Sequence, residues 1–325
     1  MKTVLITGGA GFIGAHVARA CVESGCRVIV LDNFSTGRAQ NIRHLLATHS
    51  FEMRRHDIRE PYDVAADEVF NLASPASPPH YQRDPVGTTL TNVLGVYHGL
   101  QNAARHGARF LQASTSEVYG DPQRHPQTED YRGNTATDGR RACYDESKRC
   151  AESLVMDFYR TRGVDVRIAR IFNTYGPGMA PDDGRVVSNF IVQALSGQPL
   201  TLYGNGTQTR SLCYIDDLVD GLFGLMRQTR VVGPVNLGNP EEVSVRSIAE
   251  RIIALAGQGR IVQRALPADD PKRRQPDIGL AANAFGFAPK TPLNLGLYKT
   301  VAYFRRILAA EPERYWEASR LGDLA

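Results

Sequence analysis

"TGGAGFIG", residues 7–14, sets Gly8, Gly11 and Gly14 between an apolar run and a helical pattern. The run before it, "TVLIT" (3–7), reads as a buried strand, and residues 12–24 carry apolar side chains at helical spacing. Glycines permit a tight turn and a close approach of backbone to a ligand. A helix N-terminus adds free N–H groups and positive potential. The stretch, with Phe12 and Ile13 inside it, therefore predicts a strand–turn–helix cradle for a pyrophosphate. "RVIVLD" (27–32) is a second strand. Asp32 ends it about 20 residues after the turn, where a carboxylate accepts from an adenosine ribose hydroxyl. A carboxylate there repels a 2′-phosphate, which favours NAD over NADP. Arg38, in "DNFSTGR" (32–38), pulls the other way, and Asn33 lies beside Asp32. Asp57 and Ile58 in "RHDI" (55–58), and Leu72 and Ala73 in "NLAS" (71–74), fall at further strand ends suited to adenine and pyrophosphate contacts.

Working outward, the first half alternates strands with helices. "EVFNLA" (68–73), "ARFLQAS" (108–114) and "VDVRIARI" (164–171) are short apolar runs, the last preceded by a helix over about 143–162. Such alternation predicts an α/β fold: a doubly wound parallel Rossmann sheet with helices on both faces. After Arg170 the texture changes. "NTYGPGMAPDDGR" (173–185) is too rich in Gly and Pro for a long helix. Short strands at 199–204 and 234–238 then mix with helices near 186–196, 216–228 and 244–256, and a last helix near 295–309 precedes a polar tail. We read residues 1–172 as the dinucleotide domain, with return segments near 205–235. Residues 173–325 are mainly a smaller, interleaved α/β substrate domain.

Composition bounds the rest. The 325 residues are 42% apolar and 22% charged, with a net charge of +4. No long basic stripe points to nucleic acid. No apolar run is long enough to span a bilayer, so no membrane partner is expected. The chain starts directly in its first strand, so no signal peptide is expected. Five cysteines without zinc-like pairing, and scattered histidines, suggest reduced thiols, a cytoplasmic protein and no metal site.

Only five cations are lysines, and Lys148 follows Tyr144 by four residues in "CYDESKR" (143–149). That spacing puts both on one helical face. Chance would give about 0.2 such pairs among thirteen tyrosines. An ammonium beside a phenol favours the phenolate and lowers its pKa. Such a phenolate takes a proton from an alcohol while hydride leaves for a nicotinamide. "ASTSEVYG" (113–120) crowds Ser114, Thr115, Ser116 and Glu117 after a strand.

Together, the glycine turn, the Ser/Thr segment and the Tyr/Lys pair resemble the extended short-chain dehydrogenases/reductases. More narrowly, "NLASPASPPHY" (71–81), "STSEVYGDP" (114–122), "CYDESKR", "RIARIFNTYGP" (167–177), "DDGRVVSNF" (182–190), "QTRS" (208–211) and "DDPKRRQPD" (269–277) are similar to the UDP-glucuronate decarboxylase (UDP-xylose synthase) family. The likeness covers residues 3 to about 305.

The resemblance implies that Tyr144 deprotonates the sugar C4 hydroxyl while NAD takes the hydride. The 4-keto sugar loses its C5 carboxylate as CO2, and C4 is then reduced again. Thr115 joins Tyr144 at the C4 oxygen, and Glu117 orients the sugar and disfavours its ground-state carboxylate. Arg274 donates the C5 proton or positions its donor, a relayed water being equally suitable because arginine is a poor acid. Lys272, Arg273 and Arg274 also suit a solvated basic loop. Asn173, Arg185, Arg210 and Arg274 match positions that face the diphosphate. Tyr203 suits either the uracil or core packing, and Pro75, Tyr81, Ser116 and Val187 match further substrate positions. In the related sugar-nucleotide 4,6-dehydratases the triplet Thr-Asp-Glu carries the acid that expels water. Here it reads Thr115-Ser116-Glu117, which argues against dehydration.

Three positions depart from the family. Gly178 stands for an arginine, Arg140 for a proline and Ala142 for a serine, changes expected to retune the loop over the sugar. The alternatives are a UDP-uronate 4-epimerase using the same base, or a non-catalytic NAD-binding sensor. The resemblance also implies a homodimer through helices near 83–106 and 143–162.

Overall fold

β1 (Thr3–Thr7), α1 (Phe12–Glu23) and β2 (Arg27–Asp32) follow the spacing of the opening stretch almost residue for residue. Successive strand residues point to opposite faces, and both faces here are covered. Val4 and Ile6 pack with Val17 and Ala18 of α1, while Leu5 joins the opposite core. The computed structural model describes residues 1–265 and 274–310.

α2 (Ala39–Ile42) leads to β3 (Phe51–Arg55), and β4 (Glu68–Asn71) follows. α3 (Pro78–Arg83) and the 22-residue α4 (Pro85–His106) return the chain to β5 (Arg109–Thr115). A 3-10 turn (Ser116–Tyr119) ends that strand, and α5 (Ala142–Arg162) leads into β6 (Val166–Ile171). Thereafter come β7 (Thr174–Tyr175), α6 (Val186–Leu195), β8 (Leu200–Tyr203), β9 (Thr209–Ser211) and β10 (Cys213–Tyr214). α7 (Ile215–Met226), β11 (Pro234–Leu237), β12 (Glu242–Ser244), α8 (Val245–Ala256), β13 (Ile261–Arg264), α9 (Gly279–Phe285) and α10 (Leu293–Ala310) complete the described chain.

The central sheet has seven strands in the order β11-β6-β5-β4-β1-β2-β3, all parallel. α4 and α5 bury Val96, Leu100, Ala151 and Val155 on one face. On the other, Leu218 and Leu222 of α7 share a core with α1 and with residues of α6, α8 and α10. The chain thus comes back to the first sheet through α7 and β11 after leaving it at β7. The strand order reverses between β1 and β4, so the loops leaving their C-terminal ends part and open a crevice.

Candidate functional site

The turn after β1 sits in that crevice. Gly8 has φ +70, and a Cβ there would lie 2.6 Å from Ala73 Cα in the loop after β4. A Cβ on Gly14 would lie 2.1 Å from the Gly8 carbonyl oxygen. Side chains are excluded, so backbone closes on backbone. α1 starts with no side-chain cap and no acid in its first turn. Its first N–H groups are therefore left for an anion, which fits a pyrophosphate.

A small cleft of about 60 Å³ adjoins the turn. It brings together Gly8, Gly11, Asp32, Asn33, Asp57, Ile58, Leu72, Ala73 and Pro75. Asp32 accepts from the Ala10 N–H (2.9 Å) and the Phe34 N–H (2.8 Å). Burial holds its carboxyl above the usual range, and those two donors oppose the rise. Asp57 is gripped by Arg59 (2.7 Å) and receives the Asn33 amide (3.1 Å), which carries its carboxyl down to about 2. Phe12, Gly14 and Arg38 line neither this cleft nor the larger cavity beside it. The Arg38 guanidinium turns to Gln40 (3.0 Å) instead.

That larger cavity, about 770 Å³, meets the cleft at Leu72 and Ser74 and has Ile13 in its wall. The ends of β5 and β6, the start of α5 and the start of α6 surround it. Thr115, Ser116 and Glu117 enter from the end of β5, and Tyr144 and Lys148 from α5. The Thr115 hydroxyl oxygen accepts the Glu117 N–H (3.2 Å), while its hydroxyl bonds the Tyr144 oxygen. The Lys148 ammonium donates to the Ala113 carbonyl (3.0 Å) and lies 5.7 Å from the Tyr144 ring centre. The Tyr81 ring stacks on Tyr144 from behind, 5.1 Å away and nearly parallel.

One electrostatic expectation is corrected. The Tyr144 phenol is held above its ordinary range, not below it, because burial outweighs Thr115, Arg185 and Arg141. Burial also pushes Lys148 down to about 7, with Glu152 one turn on the helix opposing it. In the protein alone burial is the largest influence on both groups.

Across the cavity stand Asn173, Arg185, Val187, Tyr203 and Arg210. Arg185 donates to the Ala76 carbonyl (3.0 Å) and pairs with Asp183 (3.2 Å). Tyr203 is partly open to solvent rather than packed in the core. Arg274 is buried and ion-paired to Glu117. Lys272 and Arg273 lie outside the described residues. Among the described residues no cluster of His, Cys, Asp or Glu has the shape of a metal site.

Residues 4–238 match the family described as NAD dependent epimerase/dehydratase. The chain belongs to that family. It is 51% identical over 308 residues to UDP-glucuronic acid decarboxylase 1 of Xenopus tropicalis, covering 94% of this chain and 73% of the relative. With UDP-glucuronic acid decarboxylase 6 of Arabidopsis thaliana it shares 49% over 298 residues, 90% of this chain and 86% of the relative. Its fold is similar to that of UDP-glucuronic acid 4-epimerase from Bacillus cereus, solved with UDP-glucuronic acid and NAD. The TM-score is 0.85 at 27% identity, covering 94% and 99% of the two chains. The narrower likeness read from the motifs is borne out by the relatives' names.

The family's departures fall in different places. Arg140 lines the large cavity, and Ala142 does not. Gly178, expected over the sugar, sits against the first turns of α1. A Cβ there would meet His16 Nε2 at 3.3 Å and Phe12 at 3.4 Å, and its φ of +97 suits glycine. Its loop is tied by the His16 N–H to the Pro177 carbonyl (2.8 Å). That change bears on α1 rather than on the sugar wall. The motifs also passed over Arg141, which lines the cavity and pairs with Glu117. Its one local signal is a position three residues before Tyr144, on the same helical face.

Proposed function

We propose that this chain converts UDP-glucuronate to UDP-xylose, with NAD held tightly and returned unchanged at the end of each cycle. The observation that carries the reading is the convergence, in one cavity, of the Tyr144–Thr115 contact and the Glu117–Arg274 pair. Ser116, not an acid, stands between Thr115 and Glu117. The names of relatives at about half identity across most of the chain support it.

Bound in the cleft and cavity, NAD would supply a reversible hydride acceptor for C4. Gly8, Gly11, the start of α1 and Asp32 would hold its pyrophosphate and ribose. Tyr144 takes the proton of the C4 hydroxyl, and Lys148 provides the cation that stabilises the phenolate. Thr115 and Tyr144 then face the C4 oxygen as donors where negative charge develops. The 4-keto sugar carries its carboxylate on the adjacent carbon. The electrons of the breaking C5–C6 bond move toward the C4 oxygen, and CO2 leaves neutral. A water held by Glu117 and Arg274 returns a proton to C5. Arg185 and Arg210 bind the diphosphate with Asn173, and Tyr203 and Val187 flank the nucleoside end.

A UDP-uronate 4-epimerase is the second reading, favoured by the fold match with the Bacillus cereus enzyme. Products separate the two. Incubated with UDP-glucuronate, the protein should release CO2 and form a UDP-pentose, while Tyr144→Phe binds NAD and yields neither. A product that keeps its carboxylate makes the chain an epimerase, and undiminished turnover in Tyr144→Phe removes the proposed base.

The same reading includes a homodimer through α4 and α5 in a reducing compartment. Val86, Leu90 and Leu94 recur every four residues on α4 and are exposed, as is Tyr159 on α5. All five cysteines are free thiols. None of the described helices is long and apolar enough to cross a membrane. Leu90→Glu should halve the mass in solution by light scattering, and an unchanged mass removes this interface.

A further inference from the structure

Glu117 is shared. One carboxylate oxygen pairs with Arg274 and the other with Arg141. Arg141 stands at the N-cap of α5, three residues before Tyr144, and also lies 3.8 Å from Asp145 Oδ2. Asp145 is buried, and its Oδ1 finds no hydrogen-bond partner among the described residues. The Arg274 Nε is likewise buried without a partner there. Arg141, Glu117 and Arg274 all line the large cavity, with Thr115 and Tyr144 in the same wall.

The geometry points to Arg141 as a positioning residue for loss of the substrate carboxylate, an inference that rests on the decarboxylase reading. A carboxylate facing a single arginine takes it with both oxygens in a planar fork. Arg141 prevents that by holding one oxygen of Glu117. Arg274 then keeps N–H donors free for the C5 side of the sugar. Arg141 also sets the charge of the wall. Two arginines face Glu117 and Asp145 there, so with both carboxylates ionised the wall is neutral before substrate binds. When the C5–C6 bond breaks, its electron pair passes to the C4 oxygen as an enolate and CO2 departs without charge. The Arg141 charge also reaches the Tyr144 oxygen, where it favours an anion, and the enolate forms beside that oxygen. Without Arg141 the wall is more negative by one charge at every stage. Tyr81 of α3 and Tyr144 and Asp145 of α5 are titratable groups within its field.

The test separates C4 oxidation from CO2 loss. The enzyme with its bound cofactor is mixed with UDP-glucuronate in a single turnover. Absorbance of the reduced nicotinamide reports oxidation at C4, and trapped CO2 reports decarboxylation. Arg141→Met should still reduce the nicotinamide, but release CO2 slower by about a hundredfold. Its reduced cofactor signal should persist while that of the unmodified enzyme decays. Arg141→Lys restores the charge and should recover part of the CO2 phase. If both phases slow equally in Arg141→Met, or CO2 leaves at the unmodified rate, the positioning role is overturned. A lysine variant no faster than the methionine variant overturns the charge argument. An unmodified enzyme that retains the carboxylate overturns the decarboxylase reading itself.

Discussion

Replacing Lys148 with methionine tests how burial sets the charge of the acid–base pair. Lys148 is 3% exposed, and burial takes its pKa from 10.5 to about 7. Between those values the unfolded chain holds a proton that the folded protein lacks, so stability rises with pH across the window. Below about 7 both states are charged, and the fold bears the full cost of the buried ammonium. At about 1.4 kcal/mol per pH unit the whole window amounts to about 5 kcal/mol. The two units above pH 7 account for about 2.7 kcal/mol of it. Methionine fills a similar volume and never charges. The gain in stability of Lys148→Met over the unmodified protein should therefore be greatest near neutrality and shrink by that amount by about pH 9. Urea unfolding of the cofactor-free proteins across this range measures the difference directly. Two stability curves that stay parallel refute the reasoning, because the lysine would then titrate alike in both states. Glu152 opposes the shift, so Glu152→Gln should extend the pH-dependent window of the lysine protein to lower pH.

Two further outcomes follow from the same geometry. Gly14→Ala places a methyl group 2.1 Å from the Gly8 carbonyl oxygen, so the turn must open. NAD affinity should fall by at least about tenfold in calorimetry, equivalent to ~1.4 kcal/mol, and unchanged affinity denies the cradle. Asp145 is the acid counterpart of Lys148, because burial raises it from 3.8 to about 6. The folded protein keeps a proton there that the unfolded chain loses, so stability falls as pH rises through that interval. Asp145→Asn should be more stable than the unmodified protein above about pH 6, by up to ~3 kcal/mol, with the advantage vanishing below about pH 4. An advantage that does not change with pH removes this titration.

Much of the fold is legible in the sequence for a physical reason. β1 and β2 are buried on both faces and read as near-continuous apolar runs, β4, β5 and β6 are as buried but broken by polar residues such as Asn71, Gln112 and Arg167, and the glycine turn marks the first crossover. β3 is an edge strand whose "FEMRR" carries charges that pair along the surface, as Glu52 does with Arg27 and Arg54, so no apolar run announces it. α4 is dominated early by Thr and Gly, poor helix formers, and takes its stability from packing on the sheet. β7, β9, β10 and β12 have two or three residues each, too few for a period.

At the site, Tyr144 and Lys148 are four residues apart and declare themselves. Glu117 and Arg141 are 24 residues apart, and only the approach of α5 to the end of β5 brings them together. The direction of the Tyr144 shift is not legible in the sequence. Spacing gives the neighbour, but burial, a property of the whole fold, sets the sign.

The central claim is that the hydride taken from C4 would stay on the bound cofactor while CO2 leaves and would return to the same carbon. UDP-glucuronate carrying deuterium at C4 tests it directly. The account predicts release of CO2 and a UDP-pentose that retains deuterium at C4 and has gained a solvent hydrogen at C5. Deuterium lost to solvent, or a product still bearing its carboxylate, would contradict it.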